Sequence, residues 1–514
     1  MDAVAMNLAV FQTEFRAGYR IPSRILLTLR RQNMARRISR RSWLRDAATI
    51  FALPAILPAQ TVKGYQANER LGVALVGVGG RGSWFVETIP RLEKLVALCD
   101  VNGRRITEAF NRWKELADRS SQASEQWLRR GGAEYRALLD QPPKMYRDFR
   151  QMLEDSGEAI DAVVVATPDH THAVASAAAI RAGKHVFCEK PLTRTVHESR
   201  ALRELARKYK VATAMGNQGT YSGAFRRALE LIRDGVLGEI SEVHVWNDAG
   251  GADRRTPPEG EPPIPGELDW DLWLGPVAYR KFHPQWMQRN LWREFGTGQL
   301  GNWGSHTANL AFMALKVYEL WSETETQKPQ VIRCTAKTSG LNRLSFPRWE
   351  IVEWEIPARR EFPPITIRWW NGDSPGFRDL VKPIVEMAPE KDRNLWRFAG
   401  TLLVGTEGTI HTTGHNMWFQ LLPAEKFSAV QRQRPERFPD SRGPEQDWFA
   451  ACRGGPAPWS QFDYAVPLNE FLMLGNIATQ FEETLEYDPL ANKIVNHPEA
   501  DALLRYEYRE GWVL

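Results

Sequence analysis

The run Leu71-Gly72-Val73-Ala74-Leu75-Val76-Gly77-Val78-Gly79-Gly80-Arg81-Gly82 joins a short apolar stretch directly to a glycine-rich turn. Its first six residues predict a strand buried on both faces of a parallel sheet. Gly77, Gly79 and Gly82 satisfy G-x-G-x-x-G. The first glycine permits a tight turn, the second lets backbone amides approach a pyrophosphate, and the third lets the following helix pack closely on the strand. That helix is predicted from about Ser83, carrying Trp84, Phe85 and Ile89, with N-terminal amides available to phosphate charge. A second apolar run, Leu95 to Cys99, ends at Asp100, 18 residues beyond Gly82. A carboxylate at that strand tip accepts from both ribose hydroxyls and repels a 2′-phosphate. The expected cofactor is therefore NAD rather than NADP, a preference tempered by Arg104 and Arg105.

Residues 102–159 read as helices with a polar insertion: loop boundaries at Ser120 to Gly132 and at Gln141-Pro142-Pro143, and a short amphipathic helix over Tyr146 to Leu153. Ala159 to Ala166 predicts another buried strand, followed by Thr167-Pro168-Asp169-His170. Ligands of open parallel sheets sit beyond the C-terminal strand ends, so Thr167 and Pro168 are candidate walls of the nicotinamide side, and His172 opens the next helix. Lys184 to Cys188 is a further strand with Glu189-Lys190-Pro191-Leu192 at its end. Pro191 restricts Lys190 to extended geometry and aims its side chain. A lysine there can exchange a proton with a substrate oxygen as hydride leaves the same carbon. Val211 to Met215 predicts one more strand, with Asn217 in its terminal loop. The cofactor-binding set thus extends from Gly77, Gly79, Gly80, Arg81, Gly82 and Asp100 to Thr167, Pro168, His172, Glu189, Lys190 and Asn217.

From Glu239 to Trp246 onward, polar and apolar residues alternate, which predicts a half-exposed antiparallel sheet. Strands are expected over 331–337, 349–356, 365–370 and 402–404. Residues 250–266 are a Pro-rich loop excursion. Trp292 and Arg293 are candidate substrate residues, since an indole face stacks on a sugar ring and a guanidinium donates several hydrogen bonds. Most of the 20 Trp residues read first as sheet core or subunit interface. His283, His411 and His415 form no ligand cluster with metal-binding spacing, and no metal is expected. The four cysteines are far apart and form no CxxC pair, which speaks against thiolate zinc. Cys99 and Cys188 read as small hydrophobes at strand ends.

The basic charge sits in one place. Residues 1–59 hold ten Arg, no Lys and three acids, a net of +7, whereas the whole chain is +5; the rest is about −2. Nucleic acid is therefore not an expected partner. Arg40-Arg41 followed by Ser42-Trp43-Leu44-Arg45 and the apolar Ala47 to Leu57 reads as a twin-arginine export leader, with the translocase as partner and the periplasm as destination. The apolar run is too short to span a bilayer, which needs about twenty residues. Met34 offers an alternative start, so residues 1–33 read as an over-extended beginning. The expected organisation is a leader over 1–59, a linker over 60–70, a dinucleotide domain over 71–218, a substrate and oligomerisation domain over 219–499, and a tail over 500–514 packing back on the fold.

Taken together, Gly77 to Gly82, Asp100, Ala166-Thr167-Pro168 with His172, and above all Glu189-Lys190-Pro191 resemble the family of glucose–fructose oxidoreductases, inositol dehydrogenases and rhizopine-catabolism-type oxidoreductases. Asp269 to Pro276, Phe295 to Gly298, Gly405 to Gly408 and Cys452 to Gly455 continue the resemblance through the second half. It implies an α/β chain: a Rossmann domain followed by an α+β domain with a large open, mainly antiparallel sheet over the nicotinamide, often in homo-oligomers. It also implies catalysis on a ring hydroxyl of a sugar, cyclitol or related polyol. The family's lysine falls on Lys190, and its Asp-x-x-x-His element on Asn302-Trp303-Gly304-Ser305-His306. His306 keeps the acid/base position, while Asn302 stands where a carboxylate is expected and is assigned to orienting a hydroxyl. Lys190, Asn302 and His306 are thus the catalytic candidates and, with Trp292 and Arg293, the substrate-binding ones. Three readings remain open: net NAD-dependent oxidation or reduction, redox-neutral glycoside cleavage on a retained NAD, and a non-catalytic carbohydrate-binding protein.

Overall fold

Six strands form a parallel sheet: β1 (Gly72–Val76), β2 (Lys94–Cys99), β3 (Lys144–Tyr146), β4 (Ala162–Val165), β5 (His185–Cys188) and β6 (Thr213–Met215), in the spatial order β3-β2-β1-β4-β5-β6. This is the doubly wound order of a Rossmann domain, with its switch point between β1 and β4. The structure, a computed structural model, describes residues 70–121, 123–322 and 330–514. The leader and the linker up to residue 69 lie outside the described residues.

The strands are apolar throughout because both faces are covered. Val73 and Leu75 face a cluster with Phe85, Ile89, Trp113 and Tyr135, while Ala74 and Val76 face the opposite cluster with Val163, Val165 and Val186. The covering helices are α1 (Gly82–Leu92), α2 (Gly103–Ser120), α3 (Gln126–Asp140), α4 (Phe149–Ser156), α5 (Asp169–Arg181) and α6 (Val196–Tyr209). Two local expectations are corrected. The helix placed over Tyr146 to Leu153 starts at Phe149, because Lys144–Tyr146 is spent on β3 and Asp148 caps the helix by accepting from Arg150 N at 2.8 Å. The boundary region placed at Ser120 to Gly132 is already helical from Gln126.

After α7 (Gly223–Arg233), the second half builds a nine-stranded sheet: β7 (Ile240–Asn247), β8 (Ile332–Thr338), β9 (Glu350–Ile356), β10 (Ile365–Asn371), β11 (Ala399–Gly405), β12 (Thr409–Thr413), β13 (Phe419–Leu422), β14 (Leu485–Asp488) and β15 (Lys493–Ile494). The order is β13-β12-β11-β7-β10-β9-β8-β14-β15, and every neighbouring pair is antiparallel except β7 with β10. The half-exposure expected from β7 is corrected: Val243 to Asn247 are all buried, because Val243 and Val245 join the main core with Ile367, Trp369, Leu403 and Ile410 while the opposite face is covered as well. Trp246, Trp370 and Leu402 lie on the other face under α8 (Phe377–Glu386) and Trp396. Trp113, Trp246, Trp292, Trp354, Trp369 and Trp448 are fully buried, the core role anticipated for most tryptophans.

The two halves are sewn together late in the chain. In α9 (Pro444–Cys452), Trp448 packs on Phe187 of β5 at 5.6 Å between ring centroids. The helix α10 (Phe462–Ala478) is mostly apolar and buried along nearly its whole length, with the buried Glu470 paired to Arg200 at 2.7 Å. At the end of the chain, Tyr508 donates to Glu198 at 2.7 Å. Among the described residues no helix is long and apolar enough to cross a membrane.

Candidate active site

The strand tips are tied shoulder to shoulder. Gly77, Ala166, Glu189 and Gly216 each donate a backbone N–H to the carbonyl of the neighbouring strand at 2.8 Å, one step beyond β1, β4, β5 and β6. The glycine turn and the Glu189-Lys190-Pro191 segment therefore open on the same edge of the sheet. Gly77 adopts φ +84, and Gly80 φ +51, the left-handed region that glycine enters without cost. A Cβ on Gly82 would stand 2.1 Å from the Gly77 carbonyl oxygen, which shows how closely α1 seats on the turn. At Gly79 an added Cβ meets only the flexible side chain of Arg105, and at Gly80 it meets nothing within 4 Å. That open flank is where a pyrophosphate fits. Asp100 closes the other side: its Oδ2 accepts Val78 N at 3.0 Å and its Oδ1 accepts Asn102 N at 2.9 Å. Burial raises its pKa against these backbone bonds.

From the same turn, Arg81 reaches across to Glu189, Nε to Oε1, at 3.0 Å. Glu189 is buried, and its Oε2 accepts the Lys190 amide at 3.2 Å. The half-buried Lys190 side chain then crosses to the second half, where Nζ donates to Asn302 Oδ1 at 2.7 Å and to the Asn302 carbonyl at 3.0 Å. Residues Leu300–Gly304 form one π-helical turn, a widening common at functional sites, and it leaves that carbonyl within reach of the lysine. Burial lowers the Lys190 pKa to about 8; Arg289 and Arg81 add to the shift, and Glu189 and Asp169 oppose it.

His306 follows the π turn and is 2 % exposed. Asn217 Nδ2 donates to Ser305 O at 2.6 Å, so its Oδ1, 3.1 Å from His306 Nδ1, is the acceptor. The imidazole consequently carries its proton on Nδ1 and keeps a lone pair on Nε2. Burial pushes its pKa well below the usual value, with further lowering by His415, Lys190 and Arg81. The His415 ring stands 4.6 Å from that of His306, and Trp303 packs on His415 at 5.0 Å and on Phe398 at 4.8 Å. Phe398 is 46 % exposed.

Several sequence assignments are corrected. Trp292 is 1 % exposed, packs on Trp286 at 4.5 Å and donates Nε1–H to Gln285 O at 2.7 Å, so it belongs to a core cluster rather than to a cleft. Arg293 is spent on the backbone and a hydroxyl: Nε donates to Asn342 O at 2.8 Å, Nη1 to Asn476 O at 3.1 Å and Nη2 to Thr479 Oγ1 at 2.9 Å. It fastens loops with its Nε and with one N–H of each terminal nitrogen. His172, read as a cofactor residue, is buried with Nδ1 2.8 Å from Pro191 O and Nε2 2.8 Å from Thr167 O. Two carbonyl partners call for two N–H donors. Burial opposes the charge, but Cys188 and Asp169 outweigh it and hold the pKa up at about 9. His172 thus braces the β4 and β5 tips. Asn217 is likewise fully buried and holds His306 instead of meeting a cofactor. Cys99 and Cys188 are buried free thiols, as their strand-end positions imply.

Arg289 escaped the sequence reading, which named Asp169 and His415 without giving them a part in this site. Asp169, at the start of α5, accepts from Arg289 and from Thr297 Oγ1, the latter at 2.8 Å, and these partners hold its carboxyl below the usual range despite burial. The Asp169-His170 pair after a buried strand was the available signal, but its partner lies 120 residues away. Among the described residues no group of three His, Cys, Asp or Glu side chains is placed to hold a metal.

With this geometry in hand, comparison with known proteins is specific for the first half. Residues 71–217 match the Gfo/Idh/MocA oxidoreductase family with its NAD-binding Rossmann fold. The chain is 33 % identical over 122 residues to an uncharacterized oxidoreductase of Schizosaccharomyces pombe, covering 24 % of this chain and 33 % of that protein. It is 36 % identical over 93 residues to levoglucosan dehydrogenase of Pseudarthrobacter phenanthrenivorans, covering 18 % of this chain and 23 % of that enzyme. The matches thus span a third or less of these relatives' own lengths. In fold, the chain is similar to the WlbA dehydrogenase of Chromobacterium violaceum, solved with NADH and UDP-GlcNAcA, at a TM-score of 0.50 and 13 % identity over 83 % of this chain and 98 % of that one. The parallel Rossmann sheet followed by a mainly antiparallel sheet is the architecture they share.

Proposed function

We propose, from the premise that residues 71–217 are a Rossmann domain of the NAD-binding Gfo/Idh/MocA oxidoreductase family, that this chain is an NAD-dependent oxidoreductase acting on a hydroxyl-bearing carbon of a sugar or related polyol. The observation that carries the reading is the pair of hydrogen bonds that Lys190 Nζ donates to the amide oxygen and the carbonyl of Asn302. A neutral amine has two N–H groups. With both given to Asn302, its lone pair is left to take the proton of a substrate hydroxyl. His306 Nε2 offers a second acceptor beside it, oriented by Asn217. NAD, when bound, would supply hydride exchange, and Lys190 would take or return the proton at the oxygen of the reacting carbon.

The residues at the glycine turn fit such a dinucleotide: the Gly79–Gly80 flank admits the pyrophosphate, and Asp100 stands at the ribose position. Arg104 and Arg105 each give one N–H to Glu108, at 3.0 and 2.7 Å, in exposed pairs that partly offset their charge, and the preference for NAD over NADP rests on the Asp100 carboxylate. Trp303 and Phe398 supply an apolar wall of the kind on which sugar rings stack.

The Asn302 substitution makes a testable statement about pH. In the oxidising direction Lys190 must be neutral, so kcat/KM rises with pH and levels above about 8; in the reducing direction the dependence reverses. The Asn302→Asp variant puts a carboxylate against Nζ, favours the ammonium, and is expected to move the oxidation profile alkaline by about 1 pH unit or more. An unchanged profile would remove Lys190 from the proton-transfer step.

Export by the twin-arginine route belongs to the same reading, with Arg40-Arg41 as the address. Changing both to Lys is expected to retain the protein in the cytoplasm of a bacterial host that has this route. Equal periplasmic recovery of the two forms in a fractionation experiment overturns that assignment.

A further inference from the structure

His185 and Thr213 open β5 and β6 at the end of the sheet opposite Lys190 and Gly216, and a cavity of about 110 Å³ lies against them. Arg203, Arg207 and Lys210, from α6 and the residue that caps it, form one wall; Asp463 and the start of α10 form another. Liquid water occupies about 30 Å³ per molecule, so the space holds one small polyatomic ion and little more.

Two donors in this wall lack acceptors. Arg203 makes no hydrogen bond or ion pair among the described residues, and its Nε is sealed from solvent. Burial lowers its pKa. Two acids, Glu470 and Asp463, raise it against that burial, but neither hydrogen-bonds Arg203: Asp463 bonds Arg207 at 2.6 Å, and Glu470 Oε2 accepts from Arg200, Trp321 and Tyr487. His185 Nδ1 accepts Ala212 N at 2.9 Å, which places the ring proton on Nε2, where no partner stands among the described residues. Asp161, the acid beside His185, is bonded by Gly72 N at 2.8 Å. The 17-residue α10 also opens here, its first amide given to Thr213 Oγ1 at 3.1 Å and Asp463 in its first turn. Arg200, Arg203, Arg207 and Lys210 outnumber Glu470 and Asp463, and a part-buried guanidinium with no hydrogen-bonded acceptor in such a cluster is relieved by an anion.

We propose that this cavity binds a tetrahedral oxyanion, inorganic phosphate or sulfate, through Arg203, Lys210 and His185 Nε2–H. The site is separate from the glycine turn and adds a second anion position to the chain. Isothermal titration of the full chain with inorganic phosphate tests it, in chloride buffer of constant ionic strength and with NAD present to fill the turn. Saturable binding of one phosphate per chain is expected. Arg203→Met is expected to weaken it about tenfold or more, the loss of charge-assisted hydrogen bonds. Lys210→Asn, on an exposed residue whose left-handed backbone asparagine tolerates, is expected to weaken it several-fold without touching the core. Sugar turnover should be unchanged in both variants. Absence of saturable binding by the wild type overturns the proposal, as does wild-type affinity in the Lys210→Asn variant.

Discussion

Replacing Lys190 by Met lowers kcat/KM for sugar oxidation by about 10²- to 10⁴-fold, the range that a positioned acid or base contributes, while NAD affinity changes by no more than a few-fold. The asymmetry follows from where the side chain ends. Lys190 Nζ is bonded to Asn302 in the second half of the chain, not to the glycine turn. The turn is fastened independently, through Gly77 N to Cys99 O at 2.8 Å and through Asp100 to Val78 N at 3.0 Å. Methionine is nearly isosteric and leaves the cleft filled, so the loss reads proton transfer and not a collapse of the site. NAD titration by fluorescence, set beside steady-state turnover, separates the two effects. Turnover within a few-fold of wild type in the variant would assign the proton to another group, with His306 the first to examine.

A second large effect is expected at the turn itself, where two glycines should fail differently. In Gly82→Ala the new Cβ stands 2.1 Å from the Gly77 carbonyl oxygen, a backbone atom that cannot move without shifting α1 off β1. Overpacking of this kind costs about 1–3 kcal/mol of stability. It also displaces amides that meet the pyrophosphate. Losing two charge-assisted hydrogen bonds, at about 1.5–3 kcal/mol each, weakens NAD binding by about 10²- to 10⁴-fold. In Gly79→Val the new Cβ meets only the flexible Arg105 side chain, so the melting temperature should hold while the added methyls are expected to fill the flank and NAD affinity to fall. Calorimetric melting and NAD titration of both variants check the pair. Undiminished NAD affinity in Gly79→Val would mean that the pyrophosphate does not lie on this turn.

The parts of this site that were legible in the sequence are those where local geometry and function coincide. A continuous apolar run followed by spaced glycines reports a buried strand and a phosphate turn at once, and a Lys-Pro at a strand end reports a fixed lysine. Asn302 and His306 were found only through the resemblance to the family's Asp-x-x-x-His element, and the turn that carries Asn302 proved to be a π turn. Where a side chain faces was the illegible part. Trp292 and Arg293 have the composition of a sugar cleft, but long-range packing against Trp286, Asn342 and Asn476 turns them inward. His172 and Asn217 lie on the right loops, yet their polar atoms serve neighbouring backbone and His306. Arg289 and His415 reach the site from distant segments, a convergence that no local pattern encodes. The strands β12 and β13 were unread as well, being short and buried where their hydrophobic period has little length in which to show.

The account depends on the glycine turn and Lys190 addressing a single bound dinucleotide. A crystal structure of the chain soaked with NAD tests this most directly. The pyrophosphate is expected over Gly79 and Gly80, with the nicotinamide ring at the β4 and β5 tips beside Lys190 Nζ and His306 Nε2. A nicotinamide ring directed away from Lys190, or a pyrophosphate held anywhere other than the glycine turn, would contradict it.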